Sequence, residues 1–175
     1  MTGKYVLLLR GINVNPSTRV AMEVLRDTVG ELGYSGVRTI LQSGNVILDS
    51  AQRPDAAGLE AAILSATGVR SGVVVLSLDE FRVIADATPL LDVADDLSRL
   101  VITFLRDEVV PDQISRPTDA ELGDERLVIA PRAVYQWCPN GVLQSQLKPA
   151  WWRQLGPLVT ARNMRTVHRI LAAAS

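Results

Sequence analysis

Apolar positions along this chain fall into two alternating rhythms. Tyr5 to Leu9 is a short apolar run, and Met22, Leu25, Val29 and Leu32 then recur at the spacing of one helix face. Gly33 closes that predicted helix. Val37 to Leu41 and Asn45 to Asp49 predict two strands joined at "QSGN", where Gly44 supplies the positive φ of a tight hairpin. After Pro54 a helix through Leu59, Ile63 and Ala66 ends at Gly68, and Val73 to Leu76 forms a fourth strand. The resulting order, βαββαβ, is the signature of a ferredoxin-like split βαβ unit.

The second half repeats the pattern less clearly. A short helix near Leu78 to Ala87 stops before Pro89, and the strand Leu100 to Leu105 follows. A helix or turn comes after Pro111, then the strands Leu127 to Ala130 and Val134 to Trp137. Trp151 and Trp152 fall in a short helix, and Thr166, Val167, Ile170, Leu171 and Ala174 mark a final amphipathic one. A last strand is weak or missing from this half. The expectation is an α+β protein of two tandem ferredoxin-like halves, residues 1–78 and 79–175. The second is degenerate and ends in the C-terminal helix, and both pack into one compact, cooperative unit. "ATPLLDVADDLSR" (Ala87 to Arg99) is the linker candidate.

Topology then predicts where a site lies. In a split βαβ unit strands 1 and 2 run parallel with strand 3 running back between them, so the loop after strand 1 and the hairpin between strands 2 and 3 share one end of the sheet. "RGINVNPST" and "QSGN" should be neighbours despite some 30 residues of separation.

Composition narrows the chemistry. A chain of 175 residues with 47% apolar content has ample material for a core. Its start lacks the charged leader and long apolar stretch of a secretory signal, and no later run approaches the roughly 18 apolar residues of a spanning helix. A cytoplasmic protein without membrane attachment is expected. One cysteine, Cys138, forms no internal disulfide, and with a single histidine, His168, a Cys/His zinc site cannot be assembled. No metal and no cofactor is inferred. All 19 acidic residues lie between Glu23 and Glu125, whereas Arg126, Arg132, Lys148, Arg153, Arg162, Arg165 and Arg169 follow with no acid among them. Residues 1–125 therefore carry −8 and residues 126–175 carry +7. Such a split marks an anion-binding surface, or a basic end that docks on acids of its own chain.

The candidate chemistry gathers in two places. Arg10, Gly11, Asn13, Gln42, Ser43, Gly44 and Asn45 converge at the predicted sheet end, where an arginine fork matches a carboxylate or phosphate and the amides read donors and acceptors of a base or sugar. Each also has a plainer use: Arg10 pairing with an acid, Gly11 turning the chain, Asn13 and Asn45 satisfying their own loops. The second place is "TARNMRT", Thr160 to Thr166, which is expected to open the last helix with Thr160 as N-cap. Helix N-termini attract anions, and Arg162, Asn163 and Arg165 would add donors.

"LLRGINV", "VRTILQSGNVIL" and "TARNMRTV", with the first helix "VAMEVLRDTVGELGY", resemble the signature stretches of the bacterial family called domain of unknown function 1697. The resemblance spans nearly the whole chain. It implies a small cytoplasmic α/β protein of two ferredoxin-like halves with no established activity. The family's recurrent polar positions fall on Arg10, Gly11, Asn13, Gln42, Ser43, Gly44, Asn45, Thr160, Arg162, Asn163 and Thr166. Two positions depart from it. Asn15 and Pro16 stand where many relatives have a glycine pair, and proline removes an amide that a phosphate cradle would use. Met164 stands where relatives often have tryptophan.

These readings converge on a polar pocket for a small anionic, phosphate- or nucleotide-like ligand, formed by the RGIN loop, the QSGN hairpin and the TARN helix start. Whether a reaction follows binding is left open, as is the choice between monomer and homodimer. A non-catalytic structural or protein-interaction module is one alternative; a weak electrostatic nucleic-acid binder is another. Nucleic acid is disfavoured because "NVILDS" offers no aromatic and "YVLLLR" only Tyr5, while strands apolar on both faces imply two covered faces. Ser43 with His168 lacks a nucleophile elbow. Cys138 reads as a buried, inert thiol, Asp92, Asp95 and Asp96 as a solvated linker rather than a magnesium site, and the two tryptophans as a packing anchor.

Overall fold

A computed structural model describes residues 1–175. It is a mixed α+β protein with two four-stranded antiparallel sheets and six helices. The chain divides into two units, 1–82 with 169–175, and 83–168.

In the first unit β1 (Gly3–Leu9) is followed by α1 (Met22–Glu31), β2 (Ser35–Ile40), β3 (Asn45–Ser50), α2 (Ala56–Thr67) and β4 (Val73–Ser77). The sheet order is β2-β3-β1-β4, so β3 separates β2 from β1 and every neighbouring pair is antiparallel. Register explains why the central strands are apolar on both faces. Leu7 pairs with Val46 and Val75, and these three share a core with Leu25 and Val29 of α1 and Leu59 and Ile63 of α2. The alternate residues Val6, Leu8, Ile47, Val74 and Leu76 point the other way and are buried as well. Each fully buried Leu or Ile contributes about 1.5–3 kcal/mol. Asp55 caps α2 by accepting from Ala57 and Gly58 N–H, and Gly68 closes it in the left-handed conformation.

The second unit holds β5 (Leu100–Leu105), α4 (Asp119–Leu122), β6 (Arg126–Ile129), β7 (Ala133–Trp137), α5 (Pro149–Trp152) and β8 (Val159–Asn163). Its sheet order, β6-β7-β5-β8, is that of the first sheet shifted by four strands. Equivalent backbone bonds recur: Leu9 N–H donates to Gly44 O and Leu105 N–H to Arg132 O, while Arg10 N–H donates to Gly72 O and Arg106 N–H to Leu158 O. The fourth strand, expected to be weak or missing, is therefore present as β8. Two helices follow the fourth strands, α3 (Leu78–Asp86) after β4 and α6 (Met164–Ala174) after β8. The last residues of α3 belong to the second unit, and residues 169–174 of α6 belong to the first. No helix is long and apolar enough to cross a membrane.

Candidate functional site

The strand-1 loop and the β2–β3 turn meet, as strand order requires. Asn13 joins them: its Nδ2 donates to Gln42 O at 2.7 Å and to Val20 O at 3.0 Å, and its Oδ1 accepts from Val20 N–H at 2.8 Å. Its φ of +55° is a conformation that asparagine tolerates better than other side chains. Asn45 is fully buried and donates to Ile40 O at 2.8 Å and Ser43 Oγ at 2.9 Å. Both amides thus satisfy their own loops. Gly11 and Gly44 turn the chain at φ of +72° and +78°. Arg10, Gln42 and Ser43 are exposed around this clamp.

Beside the turn lies an open depression of about 520 Å³ whose walls include Asn13, Asn15, Pro16, Arg19, Ala21 and Gln42. Asn15 caps a 3-10 turn over Pro16–Thr18, accepting from Ser17 and Thr18 N–H while Thr18 reaches back to the Asn15 N–H. Proline at the first position of that turn sets its φ in advance. The pair Asn15-Pro16 therefore builds one wall of the depression. Ala21 is the N-cap of α1 and offers no side-chain acceptor, so the first-turn amides of this ten-residue helix have no capping side chain. Arg19 is exposed two residues earlier, and no acid of the protein pairs with it. Arg19 was present in the sequence but carried no pattern; its place at an uncapped helix start appears only in three dimensions.

The third stretch is different. Thr160, Arg162 and Asn163 lie in β8 of the second unit, not at a helix start. Thr160 is opposite Phe104 in the sheet and accepts from Arg162 Nη1 at 2.9 Å, and the same Nη1 donates to Ala161 O at 2.7 Å. Thr160 is thus not an N-cap. Asn163 takes that part, its Oδ1 accepting from Thr166 N–H at 2.9 Å, and α6 begins at Met164. Arg162 is 7% exposed, and burial pushes its guanidinium down to about 10. These two bonds tie down its own strand. The RGIN and QSGN stretches belong to the first unit and TARN to the second.

The other candidates fall where their plainer readings put them. Cys138 is buried, and desolvation with the nearby Glu125 carboxylate pushes its thiol up to about 12. Hydrogen bonds from Ser98, with Arg165 and Arg99 nearby, hold the Asp96 carboxyl below the usual range. Asp96 thereby absorbs part of the basic excess, with Arg165 at 3.1 Å. Trp151 and Trp152 meet edge to face at 4.9 Å and pack on the second unit's core, with Trp151 Nε1 donating to Ser115 O. Met164 is buried.

One polar cluster has no local signature in the sequence. Glu125 is 6% exposed and accepts from Gln136 Nε2, Ser145 Oγ and Gln146 N–H. Its partners lie 11 to 21 positions away, so no local spacing could have revealed it.

No curated protein matches the chain. The solved structure of the conserved bacterial protein SP0830 from Streptococcus pneumoniae is similar over 100% of both chains, with a TM-score of 0.68 and 23% identity. That likeness speaks for a shared fold alone. The family described as "Protein of unknown function (DUF1697)" matches residues 1–135, a span that contains both the RGIN loop and the QSGN turn, and the chain belongs to that family.

Proposed function

We propose that the protein binds a small anionic, phosphate-like ligand in the depression between the strand-1 loop, the β2–β3 turn and the start of α1. The observation that carries this reading is the uncapped N-terminus of α1 opening beside Arg19. Free amides and the helix dipole favour an anion there, and a guanidinium fork adds two directed donors. Arg10 flanks the loop as a second cation, and Gln42 contributes an amide for the remainder of the ligand. Thr160, Arg162 and Asn163 are left out of this site, because their bonds hold β8 and α6.

The same proposal reads each unit as a ferredoxin-like half, which the shared sheet order supports. It places the protein in the cytoplasm, in keeping with a lone buried thiol. An open base-stacking sheet is disfavoured by burial of both faces of β1 and β3. A thermal-shift series with inorganic phosphate, nucleotides and sugar phosphates tests the reading. A ligand at about 100 times its Kd adds roughly 2.7 kcal/mol, or about 5–10 °C in a chain of this size. The shift should vanish in Arg19→Ala and shrink in Arg10→Ala, with Arg162→Ala the destabilised control that still responds. Equal shifts in wild type and Arg19→Ala would overturn it.

A further inference from the structure

Glu125 is a buried carboxylate whose partners are all neutral. Oε1 accepts from Gln146 N–H at 2.6 Å, and Oε2 accepts from Gln136 Nε2 at 2.5 Å, Ser145 Oγ at 2.9 Å and, more distantly, Cys138 Sγ at 4.0 Å. Donor accounting fixes the direction of the serine bond: Ser145 Oγ itself accepts from Gln136 Nε2 and Leu147 N–H, so its proton goes to Glu125. No lysine, arginine or histidine forms an ion pair with this carboxylate. Buried charges are ordinarily paired. The same residue lines a cavity of about 270 Å³, together with Asp124, Cys138, Asn140, Gln144 and Gln146. These walls supply amide groups and a second acid, and no cation. The cavity has room for one small polar group, and no basic side chain lines it.

We infer that this cavity in the second unit is a binding site for a small ligand carrying a primary ammonium group, with Glu125 as its counter-ion and the Asn140, Gln144 and Gln146 amides around it. An ammonium has three donors and no acceptor, which suits a wall of carboxylate and amide oxygens. No group of three or more acidic, histidine or cysteine side chains forms a metal cage, so an organic cation fits the chemistry better than a metal ion. The site is separate from the anion site proposed above and does not depend on it.

The test uses the full chain and putrescine as probe, followed by amide NMR, with potassium chloride and magnesium chloride as controls. Putrescine should move the Gln146 amide saturably, the two salts at equal ionic strength should not, and Glu125→Gln should weaken the response at least tenfold. A response of Gln146 to magnesium alone would overturn the ligand class. An unmoved Gln146, or an equal response in Glu125→Gln, would overturn the site. Because Glu125 also holds the 139–147 loop, a second variant keeps the test decisive if Glu125→Gln fails to fold. Gln144→Lys puts an ammonium on the cavity wall, and it should raise the melting temperature by a few degrees while abolishing the putrescine response. A lower melting temperature with the putrescine response retained would count against the inference.

Discussion

Gly44 and Gly11 both adopt positive φ, yet they should differ in cost when a methyl group is added. A Cβ on Gly44 would lie 2.7 Å from Ile12 Cδ1 and 2.8 Å from Leu9 Cβ, whereas one on Gly11 meets nothing within 4 Å. Gly11→Ala therefore carries only the conformational cost, about 1 kcal/mol, while Gly44→Ala adds a clash in the core and should cost about 3 kcal/mol in urea unfolding. Equal costs would mean that the turn does not press on the loop. Cys138 gives a second residue-scale prediction. With its thiol raised from 9.0 to about 12, it should react with a disulfide reagent at pH 8 only as the protein unfolds. The folded state keeps the proton longer than the unfolded chain, so this group's contribution to stability is complete below about 9 and is lost as the pH rises toward 12. Rapid labelling of the native protein at pH 8 would refute the burial.

At the scale of elements, α1 is a helix left without a cap at the place where the proposed ligand binds. Ala21→Asp should supply the missing acceptor and raise stability by about 1 kcal/mol, or roughly 2–4 °C, while removing the response to phosphate, since carboxylate and ligand compete for the same amides. A stabilised variant that still responds to phosphate would place the anion elsewhere. The apolar periodicities of β1, α1, β3, α2 and β5 were legible because most of their buried positions are Leu, Val and Ile. Strand order alone then placed Asn13 beside Gln42. β8 was not legible, because the buried positions of its alternation are Thr160 and Arg162, and a polar buried face leaves no hydrophobic rhythm. The same lack of rhythm hides the true cap of its neighbour α6, Asn163. The capping box of Asn15 and Thr18 was likewise hidden, since a three-residue turn has no period to detect.

For the whole molecule, the first unit is completed by the end of the chain. Residues 169–175 belong to it, Ile170 and Ala174 are buried, and Lys4 Nζ donates to Ala174 O at 2.8 Å. Deleting 169–175 should destabilise the protein by at least about 3 kcal/mol, on the order of 10 °C, through the loss of a buried isoleucine and its neighbours. An unchanged melting temperature would show that the first unit closes without them. The charge split is local as well: acids and bases of the second unit pair within it, as Arg165 with Asp96 at 3.1 Å and Arg132 with Glu108 at 3.9 Å. The basic excess after residue 125 is thus partly neutralised inside the fold. Arg19, in the half of the chain with net negative charge, pairs with no acid and stands at the start of α1 as a cation for a ligand.

An anion seated on the first turn of α1 would be seen by titrating inorganic phosphate into the labelled protein and following the amides of Met22, Glu23 and Val24. These three amides and Arg19 should shift saturably, and the response should weaken at least tenfold in Arg19→Ala. Amides that stay fixed, or that titrate identically without Arg19, would contradict that seating.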